Sequence, residues 1–296
     1  SRRDPTATLN AAPVRVAGPL RDILWDPLPG TTSTSATLSI SGSFTFWQRR
    51  VGVREAPTAL FPSPFDYARQ AVLALPRDLP LPEESSFMDA TSEVLVEALT
   101  LSHGGAFVLC TSYEAVDHYA RVLRQRLPAT WPVLSQGASG REAILRQFRE
   151  NRRAVLVGTD AFWEGVSVRG LGLRQVIVPR LPFRVPTDPL HAARVELEQR
   201  DGRDPFRSLV LPRAALRLRQ GFGRLIRSQK DRGVVLMLDR RLHERTYGRV
   251  LIHGLPPARR LQGPWSRVHD GLSAYWDLLA AERRWARAHG SDSGDL

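Results

Sequence analysis

Residues Ala106–Leu127 read AFVLCTSYEAVDHYARVLRQRL. The opening run, Ala106–Cys110, is apolar without alternation, as expected of a strand buried on both faces. The period then changes. Over Glu114–Leu127 the residues Val116, Tyr119, Ala120 and Leu123 fall at helical spacing with charged residues between them. The same alternation extends in both directions. A helix is expected over Ser86–Leu101, with Met88, Val94, Leu95, Ala98 and Leu99 on its apolar side. Downstream come a strand at Pro132–Leu134, a helix at Arg141–Arg149 with Ile144, Leu145 and Phe148 inward, and buried-strand runs at Ala154–Gly158 and Gln175–Val178. Helices over Pro189–Arg200 and Arg213–Arg227 lead to a strand at Val234–Leu238, and a helix over Ser266–Ala288 follows a Pro/Gly/Arg segment. Short apolar strands separated by helices predict an α/β fold, a parallel sheet with helices on both faces. Such sheets bind ligands beyond the carboxyl ends of their strands.

Outside this core the signal is weaker. The first thirty residues are rich in Pro and Gly, and SATLSI, within Thr31–Ser41, fits a short strand. Pro76–Ser85 reads as a linker, and the tail from Gly290 to Leu296 as disordered.

Composition narrows the function. The chain carries 42 Lys+Arg against 30 Asp+Glu, a net charge of +12, which points to a polyanionic partner such as nucleic acid or nucleotide. A codon bias explains Arg in place of Lys, but not the excess over acids. Lys230 is the only lysine and sits in SQKDRG, so no G-x-x-x-x-G-K-[ST] phosphate loop is present; no D-E-x-H run is present either. Any ATP site in this chain is therefore partial. Cys110 is the only cysteine, which excludes an intramolecular disulfide and a cysteine-based zinc or iron–sulfur cluster. The seven histidines are scattered without H-E-x-x-H, so no metal site is assigned, and no G-x-S-x-G turn occurs. No apolar run approaches the roughly 20 residues of a membrane span. The start, SRRDPTATLN, reads as a cut or processed chain in a reducing, cytosolic setting.

Four stretches carry candidate chemistry. In Gln220-Gly221-Phe222-Gly223-Arg224-Leu225-Ile226-Arg227, a helix would align Gln220, Arg224 and Arg227 with Arg217. Guanidinium forks suit a triphosphate, and glycines at Gly221 and Gly223 suit close approach of a phosphate. In Gly158-Thr159-Asp160-Ala161-Phe162-Trp163-Glu164-Gly165, Thr159 offers a hydroxyl and Glu164 a carboxylate beside Gly165. Phe162 and Trp163 either stack on bases or fill the core under the loop. Thr111 and Ser112 follow the AFVLC strand, as a helix N-cap and a site for a nucleic-acid phosphate. Pro179–Pro186 combines Arg180, Phe183 and Arg184 with stiffening prolines, a charged stacking loop or a plain connector.

These blocks, in this order, resemble the carboxyl-terminal half of DinG/XPD-like superfamily 2 DNA helicases, over about Ala11 to Pro256. Ser35-Ala36-Thr37-Leu38 resembles motif III, Ser63-Pro64-Phe65-Asp66 the opening of the second motor domain, Leu109–Tyr113 motif IV, Gly158–Gly165 motif V and Gln220–Arg227 motif VI. Leu181-Pro182-Phe183 and Tyr247-Gly248 are also similar to the family. The resemblance implies a stub of the first motor domain over residues 1–42, a second RecA-like domain over 43–256, and a C-terminal helix with a tail over 257–296. It implies arginine fingers at Arg224 and Arg227, coupling through Gln220, nucleotide contacts from Glu164, Gly165 and Gly223, and DNA contacts from Thr111, Ser112, Thr159, Phe162, Trp163, Arg180 and Phe183. The implied cofactors are ATP and Mg, shared with the first motor domain; the implied partner is single-stranded or forked DNA; and the implied setting is 5′→3′ unwinding in DNA repair, cytoplasmic and nucleoid-associated. The chain departs from the family at Ser167, where an Asp is usual. That departure keeps open a stand-alone basic DNA-binding or regulatory module.

Overall fold

The computed structural model describes residues 11–53, 55–159, 162, 172–183 and 188–288. The chain divides into two compact units. One is formed by residues 1–61 and 183–213, the other by 62–182 and 214–296.

The second unit holds the sheet. Its strands are β1 (Ala71–Pro76), β2 (Ala106–Leu109), β3 (Val133–Ser135), β4 (Val155–Gly158), β5 (Gln175–Val178), β6 (Gly233–Met237) and β7 (Arg259–Gly263). All pairs are parallel, in the order β3-β4-β2-β5-β6-β1-β7. Parallel strands need long crossovers, and helices supply them. The helices between β1 and β4 are α4 (Phe87–Ser102), α5 (Tyr113–Arg126) and α6 (Arg141–Glu150); three short helices precede them, α1 (Ala17–Leu20), α2 (Thr45–Val51) and α3 (Tyr67–Gln70). Val72, Val108, Val157 and Leu236 share one apolar core with Leu95 and Leu99 of α4, and with Val116, Tyr119 and Leu123 of α5. Phe107 points the other way and meets Phe148 of α6, ring centroids 4.8 Å apart. Helices thus cover both faces, as the sequence predicts.

Several expectations need correction. SATLSI forms no strand; the backbone there makes one antiparallel bridge, Ile40 to Ser43, after a turn in which Ser35 Oγ accepts from Thr37 N at 3.2 Å. The strands at Ala71–Pro76 and Arg259–Gly263 were not expected. The first is buried along its whole length and the second is a polar edge. The sheet therefore extends past the boundary at Pro256 and also takes in the start of the Pro76–Ser85 linker. After β5 come α7 (Pro189–Arg200) and α8 (Leu211–Phe222). The expected helix over Arg213–Arg227 stops at Phe222, because bonding shifts from Gly223 N→Arg219 O to the tighter Arg224 N→Gly221 O and Leu225 N→Phe222 O. The turn drives Leu225 and Ile226 into the core, each 2% exposed, a burial worth more than another helical turn. Beyond β6 lie α9 (Arg241–Glu244), α10 (Thr246–His253) and, after β7, α11 (Trp265–Ala288). The tail from Gly290 lies outside the described residues.

In the first unit, Asp188 caps α7, accepting from Leu190 N at 3.0 Å and His191 N at 3.3 Å, with Pro189 in the first turn. Trp25 Nε1 donates to Val51 O at 2.6 Å and its ring meets Trp47 edge-on at 6.4 Å.

Candidate functional site

The parallel sheet collects the strands' carboxyl ends along one edge. At that edge lies a cleft of about 260 Å³. Phe87, Met88 and Ala115 give it an apolar wall, and Thr111, Ser112 and Arg180 a polar one. Ser112 caps α5 as expected, its Oγ accepting from Ala115 N at 3.2 Å. Thr111, half-buried, and Arg180, exposed, make no side-chain hydrogen bond or ion pair among the described residues. Burial pushes the Cys110 thiol well above the usual range. Burial does the same to the Tyr119 hydroxyl, although Thr91, 2.8 Å away, offsets part of it. Neither group is poised for acid–base or nucleophilic work.

Two buried acids hold the rims of this unit, and the sequence did not single them out. Asp239, 1% exposed, accepts Leu181 N at 2.8 Å and grips Arg241 through Oδ2 at 2.6 Å and Oδ1 at 2.9 Å. It thereby fixes the turn that presents Arg180. Gln136, also unforeseen, accepts both Thr159 N at 2.6 Å and Thr159 Oγ1 at 2.9 Å, and donates to Tyr113 Oη at 3.1 Å. The Thr159 hydroxyl is thus already committed.

Phe162 is core. It is 1% exposed and lies over Gly158, where a Cβ would meet its ring at 2.5 Å. The stacking role expected of it is overturned by that burial. Trp163, Glu164, Gly165 and Ser167 lie outside the described residues, as does Arg184. Phe183 belongs to the first unit, with its ring 5.6 Å from Phe206.

The Gln220–Arg227 stretch occupies the opposite edge. Gln70, directly before β1, donates through Nε2 to Ser228 O at 2.8 Å and Asp231 O at 3.1 Å. Asp231 Oδ2 accepts Arg227 N at 2.7 Å and Ser228 N at 2.8 Å. Gly233, which opens β6, packs so closely that a Cβ would meet Arg174 O at 2.3 Å and Leu225 Cδ1 at 2.6 Å. Phe222 anchors the helix end against Tyr67, centroids 5.7 Å apart. These contacts place Gly223, Arg224 and Arg227 beside the strands' amino ends, with both arginines half-buried. Thr111, Ser112 and Arg180 stand about one strand length away, roughly 13–17 Å. The motif blocks thus fall into two groups, one at each end of the strands. Asp231 lies four residues beyond Arg227, and an acid capping a loop was the signal that could have found it.

Among the described residues no group of His, Cys, Asp and Glu could hold a metal ion, and no helix is long and apolar enough to cross a membrane.

Residues 95–258 match the family model of the helicase C-terminal domain. The chain is 40% identical over 253 residues to the ATP-dependent DNA helicase YoaA of Escherichia coli, covering 86% of this chain and 40% of YoaA. It is 35% identical over 291 residues to the ATP-dependent helicase DinG of Mycobacterium tuberculosis, covering 95% of this chain and 41% of that protein. A solved XPD helicase aligns at a TM-score of 0.50 and 17% identity over 65% of this chain and 35% of its own, a likeness of fold. The chain spans about two fifths of the length of these curated relatives.

Proposed function

This chain belongs to the helicase C-terminal domain family, in its DinG/XPD-like branch, and from that premise we propose that it is the second motor domain of an ATP-driven DNA helicase. The observation that carries the proposal is the separation of the two motif groups onto opposite edges of one sheet. One edge grips nucleic acid while the other serves the nucleotide, and the rigid sheet links them.

At the carboxyl edge, the Thr111 hydroxyl and the Arg180 guanidinium take phosphodiester oxygens, and the apolar wall of Phe87 and Met88 receives a base or sugar. At the amino edge, the residues present fit a triphosphate. Gly223 leaves its approach open, with ordinary contacts alone around a Cβ placed there, and Arg224 and Arg227 bring two planar forks. Bound ATP with Mg supplies the phosphoanhydride and the negative charge that these forks offset. Arg224 and Arg227 act as arginine fingers, Gln220 couples them to the sheet, and the Asp231 contacts keep Arg227 in place. The first motor domain of the same protein brings the remainder of the site, since this sequence has no phosphate-loop lysine. Alone, the chain binds DNA but does not hydrolyse ATP. Trp163, Glu164 and Gly165 enter this reading through the sequence pattern. Unwinding runs 5′→3′ in DNA repair, at the nucleoid in the cytoplasm.

Ser167, in place of the usual acid, favours a second reading, a DNA-binding or regulatory module without unwinding. One pair of measurements tests both. In the full-length protein, Arg227→Ala should abolish ATP-driven unwinding, while Thr111→Val and Arg180→Gln in this chain should weaken binding of a fluorescent dT20 several-fold. Wild-type unwinding by Arg227→Ala would sink the motor reading. A wild-type full-length protein that binds dT20 without unwinding would establish the second.

A further inference from the structure

The sheet has two outer strands, β3 and β7, and they end differently. β3 is closed. Pro132 O accepts Val155 N at 2.8 Å, so the next residue, Val133, turns its backbone outward. There Arg124 Nη2 of α5 donates to Val133 O at 3.2 Å and to Ser135 Oγ at 2.7 Å. β7 is open. Gly263 O accepts Arg77 N at 2.9 Å, so Gly263, Leu261 and Arg259 direct their backbone groups at β1. In a parallel strand the residues between them face the other way, so Arg260 and Gln262 present N–H and C=O to the open side. Among the described residues nothing pairs with those groups.

β7 and α11 border a cleft of about 380 Å³ along this edge, lined by Arg260, Leu261 and Gln262 of the strand and by Arg267 and Gly271 of the helix. Gly271 lets the helix close on the strand, since a Cβ there would meet Leu261 Cδ1 at 3.0 Å. Arg267, one turn earlier on the same face, lies across the strand's end, its Cδ 3.1 Å from where a Gly263 Cβ would stand. Arg260 and Arg267 are both exposed, and neither forms an ion pair or side-chain hydrogen bond among the described residues. No acid lines the cleft.

Charge on an edge strand can serve simply to repel other strands. That purpose needs the strand's own arginines alone, whereas this edge adds one from a helix and a cleft shared by the two. The ligand's chemistry follows from what the edge offers. Two guanidiniums call for anions. The outward carbonyls of Arg260 and Gln262 call for donors as well, which a phosphodiester lacks and a peptide backbone has. A second copy of β7 would bring donors but set arginine against arginine.

We propose that the open edge of β7 receives an extended acidic segment of a partner protein. Its backbone pairs with Arg260 and Gln262, and its carboxylates meet the Arg260 and Arg267 guanidiniums. The proposal rests on the edge and its cleft, and does not depend on the roles of the motif residues.

The test is the binding of a fluorescein-labelled (Glu-Val)4 peptide to this chain, read by anisotropy. The wild type should bind it in preference to (Lys-Val)4, and an Arg260→Gln/Arg267→Gln double variant should bind it several-fold more weakly. The same peptide N-methylated throughout keeps its carboxylates but loses its backbone donors, and should not bind. Unlabelled dT20 should not displace the peptide. Failure of the wild type to bind (Glu-Val)4, or equal binding by the double variant, would overturn the proposal. Equal binding of the N-methylated peptide would reduce the edge to a charge contact and overturn the strand pairing. Displacement by dT20 would assign the edge to nucleic acid instead. Both arginines are exposed, so the thermal midpoint of the double variant should match that of the wild type, which separates lost binding from lost folding.

Discussion

Gly223 separates a folding requirement from a binding one. Its φ is outside the left-handed region, and a Cβ built there meets Arg219 O at 3.4 Å and Gln220 O at 3.6 Å, ordinary contacts. Folding therefore does not need glycine at this position. Gly223→Ala should leave stability unchanged or raise it by about 0.4–1 kcal/mol, through the lower entropy of the unfolded chain. If a phosphate must approach between Arg224 and Arg227, the added methyl should cut ATP hydrolysis by the full-length protein at least tenfold. Urea unfolding of this chain and steady-state hydrolysis by the whole protein check the two halves. Unchanged hydrolysis would remove Gly223 from the nucleotide site. Phe162 is the opposite case. Its sequence setting allowed stacking or packing equally, and only the contact with Gly158 decides for packing.

At the scale of elements, the ends of β5 and β6 are tied by one carboxylate. Asp239→Ala would strip the Arg241 guanidinium, 13% exposed, of its 2.6 Å partner, leaving Glu83 in reach at 3.1 Å, and would strand the Leu181 N–H. Breaking such a buried pair costs on the order of 3 kcal/mol or more. A urea midpoint equivalent to less than 1 kcal/mol of loss would show that the turn presenting Arg180 is held by something else. Much of this layout was legible. Val108, Val157 and Ile177 sit in unbroken apolar runs, and α5 shows its cap in Ser112. What escaped reading escaped for physical reasons. Ala71–Pro76 ends in proline and so resembled the linker that follows. Arg259–Gly263 is a strand only because its backbone pairs with β1, since its side chains are polar. The end of α8 was extended too far because helical spacing continues through Arg227, while the burial of Leu225 and Ile226 is a tertiary fact that spacing does not carry. The candidate residues were named from their types alone. Their partition between two edges, and the supporting Asp231, Asp239 and Gln136, follow from topology.

For the molecule as a whole, the question is where the folding unit of the sheet ends. The sequence reading closed it at Pro256, yet the chain beyond is built into the core. β7 pairs with β1 from Val72↔Arg259 to Pro76↔Gly263, and so shields what would otherwise be an apolar edge strand. Helix α11 places Val268, Leu272, Tyr275 and Leu279, each at most 6% exposed, in the same core as Val72, Leu99 and Val234. The Tyr275 hydroxyl donates toward Gln70 O and Gly233 O, 3.4 Å from each, and burial lifts it to about 12, so it stays a donor through the physiological range. Burying four such side chains contributes on the order of 6 kcal/mol or more, against a total of roughly 5–15 kcal/mol for a domain. A chain truncated after Pro256 should therefore lose its cooperative thermal transition by circular dichroism and expose apolar surface to a hydrophobic dye. A truncated chain that melts cooperatively at the original midpoint would make the last strand and helix an appendage, and would return the boundary to Pro256.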